Sequence, residues 1–427
     1  MLVKFVAMRN FGIEYLHSLA PLGMTGDLKN MDSLLSAFGH PERKFRTIHV
    51  VGTDGKGSTA FYLANILSAH GCRTGLYTSP HLVNVRERIR LDGNPISEWD
   101  FDRMMQRVRD VSEALRVRVS FFEALTLACF LFFAEKNADV AVVEAGLGGR
   151  LDSTRTACGK LAVLSSVGLE HTEILGDTEE KILKEKLGIL SPNSTVLVGK
   201  IRPELIRIAD EFVRKIPAKL LCPKVIENLK VPNPGRHYVE NASLSFAAAR
   251  EFLKERFDEN LARTAIENSL WIGRMQKLVD VAGNFRWLLD GAHNPHAAKR
   301  LAEALDDYYP GEKFHCVFGA LKDKSIGEMI PLLKSHVSVW HVTRTPYGRF
   351  REIEDVVAEL ESLGCEVRTS APLSREFLKT VERESENSPV LVTGSLYMIG
   401  GCIDILKNEF DSLKFFRGME MSESETH

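Results

Sequence analysis

The segment Gly52-Thr53-Asp54-Gly55-Lys56-Gly57-Ser58-Thr59 combines three glycines, a lysine and three hydroxyls in eight residues. Glycines let a backbone approach an anion closely, and amides at a helix start point towards it. Lys56 adds a point charge for the β- and γ-phosphates, and Ser58 or Thr59 supplies a hydroxyl for a phosphate or its metal. The strict pattern G-x-x-x-x-G-K-S/T is not met. Val50 stands where its first glycine belongs, and Gly57 separates Lys56 from Ser58. A glycine-rich turn with a solvated lysine is the bland alternative, so the flanking elements must decide.

They favour phosphate. Residues 47–51 are a β-branched run, a buried strand by pattern, and 57–70 repeat apolar residues at a helical period. Strand, glycine loop and helix is the order a phosphate site needs. Further strands are expected at 74–77, 140–143, 161–167 and 195–198, with an apolar helix at 121–134 and helices at 239–252 and 261–268. Residues 271–274 read as a linker. A second series follows, with strands at 287–289, 315–318, 337–342, 365–368 and 390–392 and helices at 295–305 and 353–363. Alternating strands and helices imply parallel sheets covered on both faces. The expected architecture is α/β: a P-loop-type ATPase domain over residues 1–272, then a smaller Rossmann-like domain over 273–427. Glu144 ends a strand at the edge where such sheets place ligands; a plain surface carboxylate is the alternative.

Bulk properties narrow the class. A chain of 427 residues suggests two domains. Lysine plus arginine number 55 against 57 aspartate plus glutamate, so nothing in the net charge of -2 favours nucleic acid or an anionic membrane. The seven cysteines form no CxxC pair, and several lie in apolar stretches, as reduced thiols do. No signal peptide or membrane span is evident. A cytoplasmic monomer is expected.

The loop resembles that of the Mur ligase superfamily, which joins amino acids to carboxylates with ATP. Further segments occur in the order of the folylpolyglutamate synthase family: Thr78-Ser79-Pro80-His81-Leu82, Ala145-Gly146-Leu147-Gly148-Gly149-Arg150-Leu151-Asp152, His171-Thr172 before Leu175-Gly176, Glu185-Lys186-Leu187-Gly188, and Asp290-Gly291-Ala292-His293-Asn294-Pro295-His296. The 51 residues before Gly52 are too few for the UDP-sugar-binding domain of cell-wall ligases. A P-loop regulator would need neither the second series nor its DGAHNPHAA segment.

The resemblance implies ATP and Mg2+ as cofactors, with L-glutamate and a folate or dihydropteroate as partners, in a cleft between the domains. Gly52 to Ser58, Asn241, Arg274 and Asp290 would contact the nucleotide. Ser79, Glu144 and His171 would bind metal, and Lys186 matches a lysine that is carbamylated in the family; as plain residues, Lys186 is one of several lysines on a charged helix and His171 caps a loop. Thr25, Asp27, Ser120, Phe122, Glu123, Leu151, Asp152 and Ser153 would face the pteridine end, although Phe121 and Phe122 also read as core packing. Two positions depart from the family pattern: Asp54 and Arg155 each replace an asparagine. Arg155, and Arg349 in the segment 346–349, are candidates to pair with a glutamate carboxylate.

Overall fold

The computed structural model describes residues 10–19, 27–345, 349–386, 388–417 and 419. The chain divides into two compact units. The first comprises residues up to 79, 86–232 and 238–269; the second comprises 80–85, 233–237 and the chain from 270 onward.

The first unit is built on an eight-stranded sheet, and β1 (Arg46–Val51) lies at its centre. Beside β1 run β5 (Val140–Glu144) on one side and β6 (Leu161–Leu164) on the other, both parallel to it. Outward from β5 come β2 (Thr74–Tyr77), β3 (Ile89–Leu91) and β4 (Asn94–Pro95); outward from β6 come β7 (Thr195–Val198) and β8 (Lys219–Leu221). Only β3 and β4 run antiparallel to their neighbours. Both faces are covered, which is why these strands read as continuous apolar runs rather than alternating ones. Ile48, Val50, Val163 and Leu197 pack under the helices Lys56–Ala69 and Arg236–Leu253, whereas Val51, Leu164 and Val198 pack with the helix Pro203–Lys215. Each such side chain contributes about 1.5–3 kcal/mol on burial.

Strand order decides where a ligand sits. The chain leaves β1 towards β2 on one side and leaves β6 towards β7 on the other. That reversal opens a crevice at the carboxyl ends of β1 and β6. Residues 165–167, expected to prolong β6, instead leave the sheet there, because Ser165 and Ser166 turn to bind the loop after β1.

The second unit holds a six-stranded sheet in the order β13 (Val367–Ser370), β12 (Val337–Val342), β11 (Phe314–Phe318), β14 (Val390–Thr393), β10 (Phe285–Leu289), β9 (Gln276–Val279). Only β9 is antiparallel. The strand expected at 365–368 starts two residues later, since the Cys365 amide still closes the preceding helix by bonding Leu360. Helix starts follow local chemistry: Asn294 caps Pro295–Tyr308 and Ser374 caps Arg375–Ser385. All seven cysteines are unpaired, and five are buried. Among the described residues no helix is long and apolar enough to cross a membrane.

Candidate active site

The phosphate loop leaves β1 at Gly52 and ends at Gly55, whose left-handed backbone (φ +79°) precedes the helix Lys56–Ala69. Both glycines are required. A Cβ on Gly52 would overlap the Ser165 hydroxyl, and one on Gly55 would lie 2.7 Å from the Asn241 amide oxygen. The loop after β6 grips the phosphate loop from the side. Thr53 N–H donates to the Ser166 carbonyl at 3.1 Å and Asp54 N–H to the Ser166 hydroxyl at 2.9 Å. Ser165 and Ser166 hydroxyls donate to the Asp54 carbonyl at 2.6 and 2.9 Å. Thr53 and Asp54 amides are therefore committed within the protein, and residues 55–58 at the helix start are left for an anion. The sequence reading missed Ser165 and Ser166; two serines directly after an apolar strand were the available signal.

Two lysines meet at this loop. Lys56 Nζ donates to the carbonyls of Gly52 at 3.0 Å and Thr53 at 2.8 Å. Lys186 Nζ reaches the same Gly52 carbonyl at 2.7 Å, from the helix Glu179–Leu187. Its side chain is buried, not solvated on a charged face. Burial, and then the Lys56 charge, push its pKa down to about 7, against the opposing pull of Glu170, Asp54 and Asp152. Asn241 sits on the helix Arg236–Leu253 and donates to the Ser58 hydroxyl at 2.8 Å, so it touches the loop itself.

Glu144 ends β5 directly beside Val50 of β1. It is buried, and its Oε2 accepts the Ser79 N–H at 3.0 Å. The structure thus brings Glu144, Ser79 and the phosphate loop to one sheet edge. His171 stands differently. It is exposed, in a left-handed backbone, with Glu170 and Glu173 carboxylates 3.8 and 4.0 Å from its ring. Among the described residues no three His, Cys, Asp or Glu side chains gather as a metal cage. Magnesium does not need one, since it binds through one or two carboxylates, waters and substrate phosphates. Glu144 with the Ser79 hydroxyl fits that donor set.

The loop 146–150 is held against the helix that carries Lys186. A Cβ on Gly149 would lie 2.5 Å from the Lys186 carbonyl, and Arg150 N–H bonds the Glu185 carbonyl at 2.9 Å. Asp152 is fully enclosed. One of its oxygens accepts the Leu147 amide at 2.9 Å and the other the Thr154 amide at 3.0 Å. Burial raises its pKa despite these bonds. Ser153 pairs with Thr126 at 3.0 Å, and Leu151 is half-buried beside them in sequence. Phe122 is half-buried against Gly146 and Tyr77. Phe121 lies under the Arg88 guanidinium, 5.3 Å from its ring.

Ser120 and Glu123 take a role that the sequence reading did not give them. They form a capping box on the helix Phe121–Glu135: Glu123 accepts the Ser120 amide at 2.8 Å and hydroxyl at 2.7 Å, and Ser120 accepts the Glu123 amide. The S-x-x-E spacing was the overlooked signal. Asp27 is exposed and bonded to Lys29. Thr25 and residues 346–348 lie outside the described residues.

In the second unit, both Asp290 oxygens hold backbone amides, those of Ala292 at 3.0 Å and Met275 at 2.9 Å. That carboxylate braces the turn after β10 against the approach to β9. The neighbouring Arg274 guanidinium has no ion pair or side-chain hydrogen bond among the described residues, and it crowds Gly291, where a Cβ would overlap it. Arg155 bonds the Arg150 carbonyl at 3.2 Å.

The chain is similar to known proteins over most of its length. Residues 273–396 match the Mur ligase, glutamate ligase domain. The chain is 30% identical over 420 residues to the dihydrofolate synthase/folylpolyglutamate synthase of Bacillus subtilis (strain 168), covering 90% of this chain and 96% of the relative. It superimposes with a TM-score of 0.83 on E. coli FolC in complex with DHPP and ADP, at 28% identity, over 93% of this chain and 97% of that one. The bifunctional folylpolyglutamate synthase/dihydrofolate synthase of Yersinia pestis, complexed with AMPPNP and Mn ion, gives 0.80 at 25% identity, over 92% and 97%. With a phosphate loop, a buried lysine and a strand-end glutamate at one sheet edge, the chain belongs to the folylpolyglutamate synthase/dihydrofolate synthase family of ATP-dependent ligases.

Proposed function

We propose that the chain joins L-glutamate to the terminal carboxylate of a tetrahydrofolate, with MgATP as phosphoryl donor. The observation that carries this reading is the convergence of Lys56 and Lys186 on Gly52, beside Glu144, in a chain of this family. The nucleotide and metal in the E. coli and Y. pestis structures support ATP and a divalent ion here.

A carboxylate oxygen of the folate attacks the γ-phosphorus, and ADP leaves. The α-amine of glutamate then attacks the acyl phosphate carbon. Phosphate departs with the bond pair, and the amine loses its proton to solvent. The work of the protein is placement and charge stabilisation rather than covalent help. The helix start at residues 55–58 and Lys56 bind the phosphates. Glu144 and Ser79 would hold Mg2+, which offsets charge on the transferring phosphoryl group; His171 is a candidate second donor. Asn241 sets the loop through Ser58. Arg274 offers its guanidinium to the nucleotide, and Asp290 keeps the segment behind it in place.

Lys186, with a pKa near 7, is partly a free amine at neutral pH. That form adds through its nitrogen lone pair to the carbon of CO2 and releases a proton to solvent, and the resulting carbamate would supply oxygens and negative charge where an ammonium would repel a cation. The pteridine end is received by Phe122 and the segment from Leu151 to Ser153, with Ser120, Glu123, Thr25 and Asp27 as further candidates. In this reading the enzyme is a cytoplasmic monomer.

A second reading adds dihydropteroate as acceptor. The bifunctional name of the B. subtilis relative and the DHPP in the E. coli structure favour it. Labelled glutamate incorporation, dependent on ATP, tests both. Incorporation with tetrahydrofolate alone makes the enzyme a dedicated polyglutamylation ligase, and with both acceptors a bifunctional one. No incorporation with either sinks the substrate assignment.

A further inference from the structure

His49 lies in the middle of β1, three residues before the phosphate loop, and it is completely buried. No step above uses it. Its Nε2 accepts the Gly159 N–H at 3.1 Å. An imidazole that accepts at Nε2 while neutral carries its proton on Nδ1. That Nδ1 has no hydrogen-bond partner among the described residues, and neither has the Thr47 hydroxyl on the same face of the strand. A leucine would fill this core position without a stranded donor. A histidine here leaves its Nδ1 proton unsatisfied, and the bond to Gly159 is the contact it makes in return.

Gly159 is shaped for that bond. A Cβ there would lie 2.7 Å from the His49 ring carbon Cδ2 and 2.7 Å from the Thr47 carbonyl. The residue connects the short helix Ser153–Ala157 to β6. In the stretch from Leu151 to Ser166, residues 161–164 pair with β1 along the ladder, and side-chain contacts pin it to β1 and its loop on either side of that ladder. Ser165 and Ser166 hold Asp54 at one end, and His49 holds Gly159 nearer the other. Ahead of Gly159 lies the short helix, which Asp152 caps by accepting the Thr154 amide. Ser153, at the start of that helix, pairs with Thr126 at 3.0 Å. Burial and the nearby Arg155 charge push the His49 pKa down to about 4, so the ring stays a neutral acceptor at physiological pH.

We infer that His49 is a positioning residue for acceptor recognition, holding the segment 151–159 in register with the phosphate loop through Gly159. The inference rests on the acceptor role proposed above for Leu151 to Ser153.

The test compares His49→Leu, which removes the acceptor, with His49→Gln, which keeps one on a side chain of similar reach. Wild-type incorporation of glutamate with tetrahydrofolate or dihydropteroate is established first; its failure would count against the proposed function, not against His49. Loss of a buried hydrogen bond should raise KM for the pterin acceptor about tenfold in His49→Leu, with KM for ATP changed less than about twofold. His49→Gln should recover most of the loss. Should His49→Leu fail to fold, Gly159→Ala perturbs the same contact from the other side and should also raise acceptor KM selectively. Unchanged acceptor KM in the folded variants, or an equal rise for ATP and acceptor, would overturn the inference.

Discussion

Lys56 and Lys186, 130 residues apart in sequence, donate to one backbone oxygen, the Gly52 carbonyl, at 3.0 and 2.7 Å. Two ammonium groups on one acceptor are a poor arrangement for both. Burial weakens the charged state of Lys186 most, and the neighbouring Lys56 charge weakens it further. The site therefore holds a ready supply of unprotonated amine near neutral pH, in a place where a bound phosphate would restore the charge balance.

Carbamylation of Lys186 should follow that amine. Carbon-13 NMR with labelled bicarbonate is expected to show one carbamate, growing in as pH rises through about 7 and absent from Lys186→Ala. Ligase activity should rise across the same window. A wild-type spectrum without the signal, at saturating bicarbonate, would remove the carbamate from the mechanism.

Stability should carry the same signature in the absence of bicarbonate. The folded protein holds this amine near 7, and the ordinary lysine value is 10.5. The unfolded chain then binds more protons between those values, so stability rises with pH from about 7 to 10.5, and the full penalty applies below 7. Lys186→Met should lower ligase activity yet raise the Tm measured at pH 6. A lower Tm at that pH would show that the buried ammonium is not destabilising.

Glu144→Gln keeps an acceptor for the Ser79 amide but loses the charge. With the fold intact by circular dichroism, kcat should drop by at least about a hundredfold, as when an electrostatic stabiliser is removed. Isothermal titration of Mg2+ with a non-hydrolysable ATP analogue should show weakened metal uptake. Normal uptake with normal kcat would place the metal elsewhere.

Glu123 separates cap from substrate contact. Glu123→Ala breaks the reciprocal cap with Ser120 and should cost about 1 kcal/mol of stability, read from urea denaturation. Glu123→Gln retains the capping geometry and should keep both stability and acceptor KM near wild type. A selective rise in acceptor KM for Glu123→Gln would assign the carboxylate to the pterin instead.

Much of the fold was legible along the chain because its determinants are local. A β-branched run ending in glycine favours a strand followed by a loop, and residues 47–51 and 52–58 behave so. Parallel strands buried on both faces reveal themselves as unbroken apolar runs. The S-x-x-E cap at Ser120 was equally local and readable, although its carboxylate first suggested a ligand contact.

What local pattern could not supply is which side chains meet. Lys186 looks like one of three lysines on a charged helix until tertiary packing buries it against Gly52 and changes its acidity. Ser165 and Ser166 extend an apolar strand on paper, yet strand order puts them beside the phosphate loop, where hydroxyls find carbonyls and leave the sheet. Gly149 stands in a glycine-rich segment along the chain, but only packing brings the Lys186 helix to within a Cβ of it. The sequence by itself determined the elements, the phosphate loop and the family resemblance, since those depend on neighbours along the chain. Only the tertiary structure decided the charge state of Lys186 and the clamp on the loop, because burial and long-range hydrogen bonds exist only once distant segments are packed together.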